Sequence, residues 1–193
     1  MLHINNLADV DVFGLRICLT ADLRRARMLV HGPSDAVVGP QLWVGVLSPR
    51  FLPVLLCRLA HYFYRLKLTL LAKVFSLLNF FFFGIEIAIQ CRIGPGLFLP
   101  HTQGTVIGAY SIGRNATIFQ GVTLGARELD FSFLESSRPS LGDDVTVGAG
   151  AKVLGGLTLG SGSRIGANAV VLESIPPNVA AAGVPARVTK SLL

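Results

Sequence analysis

His101 is the residue most able to do chemistry, because it stands apart from the other three histidines (His3, His31 and His61) in the run Leu99-Pro100-His101-Thr102-Gln103-Gly104. An imidazole titrates near neutrality and can take a proton from a hydroxyl once a carboxylate fixes its tautomer. Glu86, a short way upstream, is a candidate for that carboxylate, and Gln120 and Thr102 are candidates to touch an acceptor. Spacing alone leaves the plainer alternative open, that His101 is an ordinary surface histidine near a turn. What decides between them is how the backbone carries these residues.

The backbone signal is a period of six. Leu141, Val147, Val153, Leu159, Ile165 and Val171 fall six apart, as do Ile112, Ile118 and Leu124, and Ile87, Ile93 and Leu99. A helix would repeat at about 3.6 and a half-buried strand at 2, so neither accounts for a six. A hexapeptide period predicts a parallel β-helix, with one aliphatic side chain per repeat pointing into the bore. Three hexapeptides close one triangular turn, which stacks each residue on the one about 18 later. The count puts Gln120 directly above His101. It puts Thr105, four residues after His101, above the Glu86 corner, so carboxylate and imidazole are expected to meet. The step from Leu99 to Val106 is one residue too long and predicts a bulged corner. Eleven extra residues between Leu124 and Leu141 predict a charged loop over 126–140, carrying Arg127, Glu128, Asp130, Glu135 and Arg138.

Composition divides the chain in two. Of 193 residues, 51% are hydrophobic and 15% charged, with a formal charge of +6. Residues 1–83 hold nine Lys/Arg against four Asp/Glu, and the remainder eight against seven. The basic excess therefore belongs to the apolar front, which points to an anionic membrane surface rather than nucleic acid. Cys18, Cys57 and Cys91 form neither a disulfide framework nor a metal knuckle, which places the chain in a reducing cytoplasm. Residues 1–83 are expected to be a helical region and 84–193 the β-helix with its loop and tail.

Met1–Phe13 lacks the pattern of a cleaved leader. Thr20 is a candidate cap for a helix that Gly32-Pro33 stops, and residues 32–49 read as a connector. Ser48-Pro49 has the form of a helix start, with Pro53 as the alternative. Leu68–Phe83 is a run of 16 mostly apolar residues, short of the roughly 20 that span a bilayer. An interfacial hairpin with Arg58, Arg65, Lys67 and Lys73 on its wet side fits it, and an all-helical cap packed on the coil is the alternative.

Six ordered segments resemble the serine O-acetyltransferase group of hexapeptide acyltransferases. They are Gly84-Ile85-Glu86-Ile87, Ile93-Gly94-Pro95-Gly96-Leu97, Pro100–Gly104, Phe119–Ala126, Val147–Gly155 and Ala182–Arg187. The resemblance covers about residues 84–190. It implies a left-handed β-helix, a homotrimer with sites between subunits, and acetyl-CoA as donor with no metal. It places the catalytic histidine at His101 and its partner carboxylate at Glu86, where the family pattern has aspartate. It implies a coenzyme A groove along Gly125, Ala126, Ala149, Gly150, Ala151 and Ala167, with Lys152, Arg164, Arg187 and Lys190 as phosphate candidates. Two departures stand out. Pro100 replaces an aspartate beside the catalytic histidine, and Arg138 falls on a second active-site histidine. Arg138 is accordingly expected at the acceptor.

These departures and the greasy front resemble the branch that acetylates sugars in capsule or exopolysaccharide assembly. The leading expectation is acetylation of a sugar hydroxyl on a lipid-linked precursor, at the inner face of the cytoplasmic membrane. The alternatives are L-serine acetylation feeding cysteine synthesis, acetylation of another small hydroxyl compound, and a non-catalytic scaffold. A zinc-dependent carbonic anhydrase of β-helical form is disfavoured, because its metal needs three histidines and the repeat holds one.

Overall fold

A computed structural model describes residues 14–32, 46 and 48–193. The readings for Met1–Phe13, His3 and most of the connector lie outside the described residues.

From Ile85 onward the chain winds as a left-handed parallel β-helix with three faces. One face stacks β1 (Ile85–Ile87), β3 (Thr105–Ile107), β6 (Thr123–Gly125), β9 (Lys152–Leu154) and β12 (Val170–Val171) in that order. The second stacks β2 (Arg92–Ile93), β4 (Ser111–Ile112), β7 (Ser140–Leu141) and β10 (Thr158–Leu159). The third stacks β5 (Thr117–Ile118), β8 (Thr146–Val147), β11 (Arg164–Ile165) and β13 (Val179–Gly183), and β14 (Ala186–Ser191) runs antiparallel on β13. Ser140 pairs with Thr158, Thr146 with Arg164 and Lys152 with Val170, the expected stacking of eighteen. Across the coil that throws out the loop the pairing lengthens, as in Ser111 to Ser140.

The hexapeptide positions line the bore. Ile118, Leu124, Val147, Val153 and Leu159 are all fully buried. One position needs correction. Val106 faces outward and Ile107 takes its place in the bore, pairing with Ile87 below and Leu124 above. Two adjacent aliphatic residues at an irregular corner leave a residue count unable to choose between them. The strand pairing shows that the bulge takes one residue more than expected.

Three helices precede the coil: α1 (Leu15–His31), α2 (Leu52–Arg65) and α3 (Thr69–Phe83). Thr20 does not cap α1; it lies inside the helix with its hydroxyl donating to Arg16 O, 2.7 Å away. Ser48-Pro49 forms a turn, Ser48 O accepting from Phe51 N and Leu52 N, and α2 begins beside Pro53. α2 and α3 form the expected hairpin, with Phe63 stacked on Phe75 at 5.3 Å between ring centres. Val54 and Cys57 of α2 join the same core as Ile85 and Ile87, so the helices close the first coil. α3 ends at Gly84, whose φ of +60° is the left-handed cap. A Cβ there would also clash with Gln103 Oε1.

The joint between helices and coil is polar. Asp22 of α1, wholly buried, accepts from Arg58 Nε at 2.8 Å and from Arg58 at a second nitrogen at 3.0 Å. Its Oδ1 also accepts from Gly96 N and Leu97 N, at 2.7 and 2.8 Å. Arg58 donates in turn to Ile93 O and Gly94 O. Arg25 adds bonds to Gly96 O and Thr117 Oγ1. Arg58 is therefore no membrane-facing cation. It is the buried clasp of the molecule.

Candidate functional site

The corner between the third and first faces forms a column. His101 occupies it in the first coil and is exposed. Gly121 N donates to Gln103 O, so Gln120 and Gly121 stack above the His101 corner. Gly150 N donates to Gln120 O, and Asn168 N to Ala149 O, which continues the column through Ala149, Gly150 and Ala167. Gln120 Oε1 is buried with no hydrogen-bond partner, a polar atom held at this corner.

Thr102 is corrected by the structure. It is buried, and its hydroxyl donates to Phe83 O at 2.7 Å, so it fixes the His101 corner onto the end of α3 instead of facing an acceptor. Gly104 N donates to Gly84 O at the same junction. Glu86 lies exposed on β1 and pairs in register with Val106, not with Thr105 as the count had it. Among the described residues no hydrogen bond joins Glu86 to His101. They stand at opposite ends of the first coil, and the His101 corner leads into the strand stacked on Glu86.

A groove of about 820 Å³ runs along the first face between α3 and the loop, and it brings together Glu86, Gly125, Ala126, Arg138 and Lys73. Lys73 is the residue of this set that the sequence did not assign to the site. A lone lysine within an apolar run gives no sign of the face it takes.

Arg138 is committed within the loop. Its Nε donates to Asp130 Oδ2 at 2.7 Å, its other nitrogens donate to Gly108 O and Asp130 O, and its guanidinium lies 4.2 Å over the Phe133 ring. Although desolvation raises it, bonds from Arg138, Leu134 N and Ser132 N hold the Asp130 carboxyl below the ordinary aspartate range. The expected acceptor ligand is thus a brace of the loop. Arg127 is used similarly, reaching Leu154 O and Leu172 O across the coils.

The cofactor residues divide. Gly125 has open space where a side chain would stand, and Gly125 and Ala126 both line the groove. Gly150, with φ +73°, and the fully buried Ala151 spend their N–H groups inside the coil, on Gln120 O and Gly148 O. Their backbone N–H groups are not available to a pantetheine chain. Lys152 Nζ donates to Gly121 O at 2.5 Å. Arg164 and Lys190 are exposed, and Arg187 lies 3.7 Å from Glu173 at the surface.

The cysteines are sequestered. Burial pushes the Cys57 thiol up to about 12 and raises Cys18 and Cys91 as well. His61 is half-buried beside them, Nδ1 3.8 Å from Cys57 Sγ and Nε2 3.1 Å from Ala88 O. Desolvation lowers its pKa to about 4.

Residues 138–173 match the model of the bacterial transferase hexapeptide (six repeats). The serine acetyltransferase of Helicobacter pylori (strain J99 / ATCC 700824) is 44% identical over 147 residues, covering 75% of this chain and 84% of that protein. The chain belongs to the serine acetyltransferase family. The serine acetyltransferase of Bacillus pumilus (strain SAFR-032) is 43% identical over 132 residues, 68% of this chain and 59% of that protein. The match thus spans about three fifths of the Bacillus family member. Among solved family members, the Neisseria gonorrhoeae serine acetyltransferase in complex with serine aligns with a TM-score of 0.74 and 30% identity, covering 90% of this chain and 68% of that one. A serine acetyltransferase in complex with CoA aligns at 0.76 and 29% identity, covering 91% and 69%.

These relatives overturn the sugar expectation, since they are serine acetyltransferases and not members of a polysaccharide branch. The structure supplies a physical reason. Much of the greasy, basic front that suggested a lipid-linked substrate is internal, with Arg58 on Asp22 and with Val54 and Cys57 in the core. No helix among the described residues is long and apolar enough to cross a membrane.

Proposed function

We propose that the chain is an acetyl-CoA-dependent serine O-acetyltransferase working by direct transfer. The observation that carries this reading is the 44% match over 84% of the Helicobacter enzyme, joined to an exposed histidine on an open coil corner. His101 takes the proton of the serine hydroxyl, and the freed oxygen attacks the thioester carbonyl carbon. The tetrahedral adduct then collapses, breaking the carbon–sulfur bond, and His101 returns its proton to the departing thiolate. Glu86 orients the imidazole, and such general-base assistance is worth about 100-fold to 10,000-fold. A covalent cysteine intermediate is disfavoured because Cys18, Cys57 and Cys91 are buried with raised pKa values, and the thiolate is the nucleophilic form.

His101 stands on a convex corner, and a second copy of the chain, in a homotrimer, supplies the opposing wall. Coenzyme A lies along that corner and the first face, past Ala149, Ala167, Gly125 and Ala126, with Arg164, Arg187 and Lys190 near its phosphates. Gln120, on the corner stacked on that of His101 and with an unpartnered oxygen, receives the acceptor.

The test is thiol release from acetyl-CoA with L-serine as acceptor. Wild type is expected to turn over. His101→Ala is expected to lose about 100-fold or more in kcat at unchanged molar mass by light scattering. No thiol release with L-serine would remove the serine assignment, and near-normal turnover of His101→Ala would remove the histidine from the mechanism.

A further inference from the structure

His101 is exposed, and among the described residues no hydrogen bond holds its imidazole. A base that must meet a hydroxyl at bonding distance still needs a fixed place, and a misplacement of about 1 Å can cost about 100-fold in rate. The place has to come from the backbone on either side. Before His101 stands Pro100, whose ring fixes its own φ. After it, three consecutive residues engage one spot, the end of α3. The Thr102 hydroxyl donates to Phe83 O at 2.7 Å, the Gln103 side chain lies over Gly84, and Gly104 N donates to Gly84 O at 2.9 Å. Thr105 N donates back to Thr102 O at 3.1 Å and closes the turn.

Within residues 100–104 only Thr102 is buried. Its bond is the one that a side chain directs, and it goes to a carbonyl that needs it. Phe83 O belongs to the last turn of α3, where the carbonyls have no partner inside the helix. The end of α3 is itself fixed. Phe83 packs against the core of the coil, and the buried Asn79 donates from Nδ2 to Pro53 O at 2.9 Å. One hydroxyl therefore ties the residue next to the imidazole to a firmly seated helix end.

We propose that Thr102 is a positioning residue for acetyl transfer, setting the place of His101 from the end of α3. The proposal rests on the reading of His101 as the base for serine. Its test is thiol release from acetyl-CoA with L-serine by the full chain. Thr102→Val keeps the size of the side chain and loses the donor, so kcat is expected to fall about tenfold with KM for both substrates unchanged. Thr102→Ser keeps the donor and should restore kcat. Ile112→Val thins the bore on the second face, away from this corner, and should keep the wild-type kcat. If Thr102→Val fails to fold, Thr102→Ala carries the same expectation. Wild-type kcat in a variant without the hydroxyl would overturn the proposal. So would a loss that Thr102→Ser does not restore, or one that falls on KM alone. An equal loss in Ile112→Val would overturn it too, because stability and not position would then set the rate. Wild type that releases no thiol with L-serine marks a different failure, that of the serine reading, and the proposal falls with it.

Discussion

The coil and the helices in front of it are held in opposite ways. In the coil the same contact recurs turn after turn, and the inward aliphatic residues between Ile87 and Val171 stack on others like them. At the joint, one buried pair gathers the attachment. Asp22 and Arg58 between them bond to Gly96 N, Leu97 N, Ile93 O and Gly94 O. Repetition spreads stability over many small terms, whereas the clasp concentrates it, because a buried charge left alone is costly. The difference teaches where this fold is fragile.

The sharpest way to break the comparison is Asp22→Ala. Removing one partner of a buried pair is expected to cost about 3–5 kcal/mol, read from the urea midpoint. It also orphans Gly96 N and Leu97 N. A smaller effect comes from His61 through pH. Its folded pKa, about 4, lies below its ordinary value of 6.5. The unfolded chain therefore binds the proton first. The stability His61 contributes is present above pH 6.5 and is lost as pH falls toward 4. The thermal midpoint should drop across that window, and His61→Gln should flatten the drop. Smallest is Ile118→Val in the bore, at about 0.5–1.5 kcal/mol. If it proves as damaging as Asp22→Ala, stability is not concentrated at the joint.

The coil was legible because its signal is local and periodic, so that Leu141, Val147 and Val153 announce their faces by spacing alone. Val106 against Ile107 was not, because at a bulge the period pauses. The clasp was hidden for another reason. Asp22 and Arg58 lie on different helices, and nothing in their spacing pairs them. A weaker sign was present, since Asp22 falls on the same helical stripe as Leu19, Leu23 and Ala26, and a carboxylate in an apolar stripe requires a buried partner. In the site, the His101 corner and the loop were readable as positions. The engagements of Thr102 with Phe83 O and of Arg138 with Asp130 were not, because a side chain's partner depends on atoms brought in by other coils.

The last strand carries a consequence for how copies of this chain can grow together. A parallel coil ends in a ladder of backbone groups that could accept another coil of the same kind, and an unprotected ladder is a seed for fibres. On the third face β14 turns back and runs against β13. The edge it offers is reversed in direction and studded with Arg187 and Lys190. An incoming coil finds neither its register nor its polarity there. Parallel addition of another coil through this face is thereby disfavoured.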